Sequence, residues 1–107
     1  MYRDQQNKRE SGIRSVRIGG ISVQVSHQKG ALIIWGTREL NGRTVTLRGG
    51  DNPLSATFRP FRVNNETKYA AAFSRVLPDN YWTDGGYDIK FASVTINTGW
   101  VEQLDWR

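Results

Sequence analysis

Leu77-Pro78-Asp79-Asn80-Tyr81-Trp82 follows the apolar run Tyr69 to Leu77 and precedes a second β-rich region that closes on Leu104-Asp105-Trp106. Pro78 fixes its own φ and has no N–H, while Asp and Asn accept the tight and left-handed backbone of turns. A strand therefore enters, the chain reverses, and Tyr81 opens the next strand on its core side. A phenol there is apolar along its ring but must satisfy its hydroxyl, and the nearest partner is a backbone group just upstream. This is the tyrosine corner of Greek-key β-sandwiches.

On both sides of this stretch nearly every segment has a period of two. Val16 and Ile18, then Ile21, Val23 and Val25, alternate with Arg17, Ser22, Gln24 and Ser26. Gly19-Gly20 interrupts them as a bulge or tight turn does. Leu32 to Trp35 is a short continuous apolar run, the signature of a strand covered on both faces or central in a sheet. Val45 and Leu47 alternate with Thr44, Thr46 and Arg48. Ser55 to Val63 contains Pro60, which cannot donate to a ladder, so this strand belongs at an edge or carries a bulge. Tyr69, Ala71 and Phe73 share one face, with Ala70 and Ala72 on the other. Tyr87, Ile89 and Phe91 line a further strand, and Val94 and Ile96 lead into Asn97-Thr98-Gly99, a hairpin signal. The closing strand puts Leu104 and Trp106 on one side.

Thr37 to Leu40 gives one helical turn at most. Turn residues punctuate the rest, as at Asn41-Gly42, Gly49 to Pro53, Asn64-Asn65 and Asp84-Gly85-Gly86. Seven or eight strands at spacings of roughly 8–12 residues define an all-β, antiparallel Greek-key sandwich. A chain of 107 residues is one domain. It buries roughly 65% of its unfolded surface, enough for a core without staples. Residues 1–12 are polar and aperiodic and read as a disordered tail, leaving 13–107 as the domain.

The run from Tyr69 through Leu77-Pro78-Asp79-Asn80-Tyr81-Trp82 to Val94-Thr95-Ile96-Asn97-Thr98-Gly99 and Trp106 resembles the closing strands of prealbumin-like, immunoglobulin-like domains, such as the carboxypeptidase regulatory-like modules. It is also similar to small bacterial proteins that pair this ending with an earlier strand, here Gly30-Ala31-Leu32-Ile33, and a Leu-x-Gly-Arg step, here Leu40-Asn41-Gly42-Arg43. The resemblance covers the last two-thirds of the chain and implies the fold and an accessory or binding role. Asp79-Asn80 replaces the family's Pro-Gly at the turn, which Asn tolerates. Relatives often carry a His between Thr57 and Phe61. This chain has none there, so the resemblance implies no metal role for that strand.

Composition removes several chemistries. With no Cys there is no thiolate metal site, Cys nucleophile or disulfide. The sole His, His27, lies in the turn Gln28-Lys29-Gly30 begins, and no spacing supplies it with an orienting acid and a nucleophile. No catalytic residue, metal site or cofactor is expected, and the chain reads as a non-enzyme. Asp79, Asp84 and Asp88 lack EF-hand spacing and sit in turn sequence. The glycine pairs lack phosphate-loop context. The N-terminus has no apolar signal core and the longest apolar run is too short for a bilayer, so no membrane association is expected and the expected location is cytoplasmic.

Four Trp in a short chain carry the most information about binding. Trp106 shares parity with Leu104 and is expected in the core, and Trp35 in the core or at its rim. Trp82 and Trp100 flank turns and are the candidates for exposure, as stacking platforms for sugars or as interface anchors, or else as caps on the ends of the core. Arg59 and Arg62, with Phe61 and Arg48, suggest a basic, aromatic edge. Such an edge serves single-stranded nucleic acid or simply discourages strand pairing. The net charge of +5 is spread over scattered cations, with no Lys/Arg run longer than two. The leading expectation is a module recognising a protein partner. A carbohydrate-binding sandwich, which needs Trp82 and Trp100 on a common surface, comes second. A basic nucleic-acid-binding domain comes third, and nucleic acid is not an expected partner.

Overall fold

The structure, a computed structural model, describes residues 12–85 and 91–107. Ten strands appear among them: β1 (Arg14–Ile18), β2 (Ile21–Val25), β3 (Gly30–Gly36), β4 (Thr44–Arg48), β5 (Leu54–Thr57), β6 (Arg59–Val63), β7 (Glu66–Val76), β8 (Asp79–Asp84), β9 (Ser93–Ile96) and β10 (Val101–Asp105). One 3-10 turn, Arg38–Leu40, follows β3. Two four-stranded sheets run in the orders β10-β3-β7-β6 and β5-β4-β8-β9, and β1 and β2 form a separate hairpin.

Side-chain alternation builds two buried clusters. Leu32 and Ile34 of β3 and Ala71 and Phe73 of β7 meet Val45 and Leu47 of β4, Tyr81 of β8 and Ile96 of β9 in one cluster, so the two large sheets share a core. Phe58 and Trp106 complete it, their ring centroids 6.1 Å apart. The opposite parity of β3, namely Ala31, Ile33 and Trp35, meets Ile21, Val23 and Val25 of β2 in a second cluster. The hairpin thus covers the outer face of the first sheet. This explains the unbroken apolar run in β3, since every one of its residues is buried. Burying a side chain of this size contributes roughly 1.5–3 kcal/mol relative to leaving it in water.

Turn chemistry matches the backbone. Gly19 and Gly20 have φ of 56° and 87° between the paired residues Ile18 and Ile21, which makes them the left-handed centre of a two-residue hairpin turn. Asn64 and Asn65, at 52° and 65°, do the same between Val63 and Glu66. Arg75 also has a positive φ, 56°, near the end of β7. There the partners of β3 shift between Gly30 and Leu32, and β7 carries a bulge.

Three expectations change. The strand count rises to ten among the described residues; Gly19-Gly20 divides β1 from β2, and Ser55 to Val63 is two strands in different sheets. Phe58, fully buried between them, carries the chain across, and both halves lie at sheet edges, where Pro60 is tolerated. The sheets are not wholly antiparallel, since β10 runs parallel to β3. Asn97-Thr98-Gly99 does form a turn, with the Trp100 N–H donating to the Asn97 carbonyl at 3.3 Å. Its flanking strands belong to different sheets, so it is no hairpin. Turn residues specify a reversal but not which sheet receives the next strand. Of the strand expected through Tyr87, Ile89 and Phe91, all but Phe91 lies outside the described residues.

Candidate functional site

Among the described residues β1 is paired only with β2, and its odd and even residues face different surroundings. Val16 and Ile18 are half-buried against the second core cluster, while Ser15 and Arg17 are exposed. Arg14, Val16 and Ile18 line an open cleft whose other wall is Trp100, Val101 and Gln103. Trp100 is 61% exposed. The Arg14 guanidinium donates to the Gly99 carbonyl at 3.0 Å and fixes β1 at the head of β10. Gln103 is held in turn, because its Oε1 accepts the Trp35 indole N–H at 2.8 Å. Lys68 and Arg107 lie over the Trp35 ring, 5.7 and 5.5 Å from its centroid, and cover the part of the indole the core leaves open.

Trp82 occupies a different surface. It projects from β8 and is 38% exposed, and it stacks on Phe91, itself 71% exposed, at 5.4 Å and 27°. Asn80, Ser93 and Thr95 share its shallow cleft, where Thr95 donates to the Asn80 side chain at 2.8 Å. Arg48, paired with Trp82 in register, bonds Asp84 at 2.9 Å. Hydroxyl pairs extend along the same sheet, Thr44 with Thr57 at 3.1 Å and Thr46 with Ser55 at 3.0 Å. The clefts of Trp82 and Trp100 have no lining residue in common.

The arginines singled out in the sequence are not gathered. Arg59 and Phe61 line a groove at the β5–β6 crossing, and Phe61 packs on the second cluster. Arg62 alternates to the other face of β6 and is exposed, while Arg48 belongs to the other sheet. His27 is exposed on the β2–β3 turn. Among the described residues no three His, Asp or Glu side chains lie together as metal ligands; Asp88 lies outside those residues.

Buried polar groups are accounted for by structure. The Ser26 hydroxyl accepts the N–H groups of Gln28 and Lys29 at 3.1 and 3.0 Å and shapes the turn into β3. Thr83, fully buried, accepts the Ala92 N–H at 2.8 Å. The Tyr81 hydroxyl donates to the Leu77 carbonyl at 2.6 Å. Burial, then the Asp79 and Asp51 carboxylates, push this phenol above its ordinary value.

Trp100 and Trp82 are exposed as the sequence suggested, but Val16, Ile18 and Val101, which line the cleft of the first, were not singled out. The missing signal is tertiary. Alternation in β1 marks an apolar face without saying that β10 lies beside it. No protein-family model, curated protein or solved structure matches this chain. No helix among the described residues is long and apolar enough to cross a membrane.

Proposed function

We propose that this chain is a non-enzymatic interaction module, a prealbumin-like Greek-key β-sandwich that recognises a protein partner through the cleft between β1 and β10. The shared core of the two large sheets supports the fold, as does the alternation of hairpins with crossings between sheets after β3, β5, β7 and β9. The Tyr81–Leu77 bond at one such crossing is the corner expected of this architecture.

The observation that carries the function is Trp100, 61% exposed beside half-buried Val16, Ile18 and Val101. Exposed tryptophan on an apolar patch is a typical anchor of protein interfaces. Selection of a displayed random-peptide library against the protein, with the site mapped by amide chemical shifts, tests this. Ligands that perturb β1, Trp100 and β10 support the reading. Failure to select any ligand, or ligands that perturb only the Trp82 side, contradicts it.

The stacked pair Trp82 and Phe91 supports a second reading, a saccharide platform. A sugar ring lies on an exposed indole and bonds neighbouring amides and hydroxyls, here Asn80, Ser93 and Thr95. That reading loses the contribution first expected of Trp100, which lines another cleft. Tryptophan fluorescence titrated with soluble oligosaccharides, in the parent and in Trp82→Ala, distinguishes it. A response abolished by Trp82→Ala favours the saccharide, and no response to any sugar removes it.

A further inference from the structure

The open side of β10 offers backbone as well as side chains. The Ala31 N–H donates to the Trp100 carbonyl at 3.0 Å, and the Trp106 N–H donates to the Trp35 carbonyl at 2.8 Å. Even-numbered residues of this strand therefore face β3. Strand alternation turns the amides and carbonyls of Val101, Gln103 and Asp105 the other way. Among the described residues no strand pairs with β10 on that side. The row is closed at both ends: Arg14 takes the Gly99 carbonyl at 3.0 Å, and the Asp105 carboxylate accepts the Arg107 N–H at 3.0 Å. What remains between is a short hydrogen-bonding window beside the Trp100 cleft.

We propose that β10 accepts an added strand: an extended, acidic segment of a partner polypeptide pairs with the outward backbone groups of Val101 and Gln103, and its alternate side chains enter the cleft of Val16, Ile18 and Trp100. This rests on the interaction-module reading and deepens it. Main-chain bonds supply affinity in such pairing and alternate side-chain pockets supply specificity. The other edges of the two large sheets are less suited. β6 carries Pro60 and exposed arginines, and β5 and β9 have four residues each.

Charge selects the occupant. Each copy of this chain carries a net charge of +5, so a second copy meets repulsion where an acidic segment meets attraction. Arg14 stands in the cleft itself, with no ion pair among the described residues. The acids of β10 oppose this little: Asp105 is held by the Arg107 guanidinium at 3.0 Å, and Glu102 alternates to the other face. The sequence Met1 to Ser11 has only Met1 and Tyr2 as apolar residues and three cations against two acids, so it does not carry the alternating apolar and acidic pattern of the proposed occupant.

The test uses the whole protein and a short acetylated peptide alternating valine and glutamate. Three controls accompany it: the same peptide N-methylated at alternate amides, a valine–lysine peptide, and the variant Val101→Pro, which removes one outward N–H at a position where an edge strand tolerates proline. The parent peptide is expected to bind and to slow exchange of the Val101 and Gln103 amides about tenfold, leaving Glu102 and Leu104 unchanged. N-methylation, lysine and Val101→Pro are each expected to weaken binding by about tenfold or more. If Val101→Pro fails to fold, the N-methylated peptide decides in its place. An N-methylated peptide that binds as well as its parent overturns strand addition while the interaction-module reading stands on its library selection. Equal binding of the lysine peptide overturns the acidic assignment. Absence of binding by the valine–glutamate peptide, alongside library ligands that map to the cleft, overturns this inference alone.

Discussion

The Tyr81 hydroxyl donates to the carbonyl of Leu77, four residues earlier, at 2.6 Å. The bond ties the start of β8 to the end of β7, at the point where the chain leaves one large sheet for the other. Its ring lies in the shared core and its hydroxyl holds the turn, so one side chain couples packing to topology.

Tyr81→Phe keeps the ring and orphans the Leu77 carbonyl. It is expected to lower stability by roughly 1–3 kcal/mol, the usual range for a buried hydrogen bond lost on one side. Tyr81→Ala adds an aromatic-sized cavity and is expected to cost about 3–5 kcal/mol. Urea unfolding of both variants checks this. Tyr81→Phe as stable as the parent removes the corner from the account.

The same residue predicts a pH dependence. Burial raises its phenol above the ordinary 10.0, so the folded state holds this proton more tightly than the unfolded chain does. Its contribution is fully present below about pH 10 and is lost as pH rises through the folded value. Unfolding at about pH 8 and about pH 11 should show a larger loss of stability in the parent than in Tyr81→Phe. Equal losses contradict the assignment of the buried proton to Tyr81.

Phe58 joins β5 to β6 and is fully buried against Trp106. Phe58→Ala is expected to cost about 3–5 kcal/mol, like other large-to-small changes in a packed core. A calorimetric cost below about 1 kcal/mol would place the crossing outside the cooperative core.

Gly20 and Gly42 separate backbone strain from crowding. Both have a left-handed φ, 87° and 85°, but a Cβ on Gly20 runs into the Val63 side chain whereas one on Gly42 meets nothing within 4 Å. Gly42→Ala should cost about 1–2 kcal/mol from backbone conformation alone. Gly20→Ala should cost more, by about 1–3 kcal/mol for the displaced side chain. Thermal melts of the pair show the order, and equal costs mean that the hairpin shifts freely.

Local patterns carried much of this fold. Parity assigned Ala71 and Phe73 to one core and Ala70 to the other, and the apolar run of β3 announced a strand covered on both faces. Pro78 marked the break between β7 and β8, but Asp79 and Asn80, expected in the turn, pair with Ile96 and Thr95 inside β8. What else failed was nonlocal: the split at Phe58, the parallel pairing of β10 with β3, and the meeting of β1 with Trp100. Each depends on which strands become neighbours, and period-two alternation is the same for every neighbour. The candidate site was half legible for that reason. Its exposed tryptophan was marked by a turn, but the cleft that gives it meaning is assembled from opposite ends of the chain.

Recognition through the β1–β10 cleft depends on Trp100 and not on Trp82, and two substitutions measured against one library-selected peptide decide it. Trp100→Ala should weaken binding by at least about tenfold, as expected of an interface anchor, while Trp82→Ala should leave affinity within about twofold. Loss of binding in Trp82→Ala with Trp100→Ala unaffected would contradict the account and move the binding face to the other sheet.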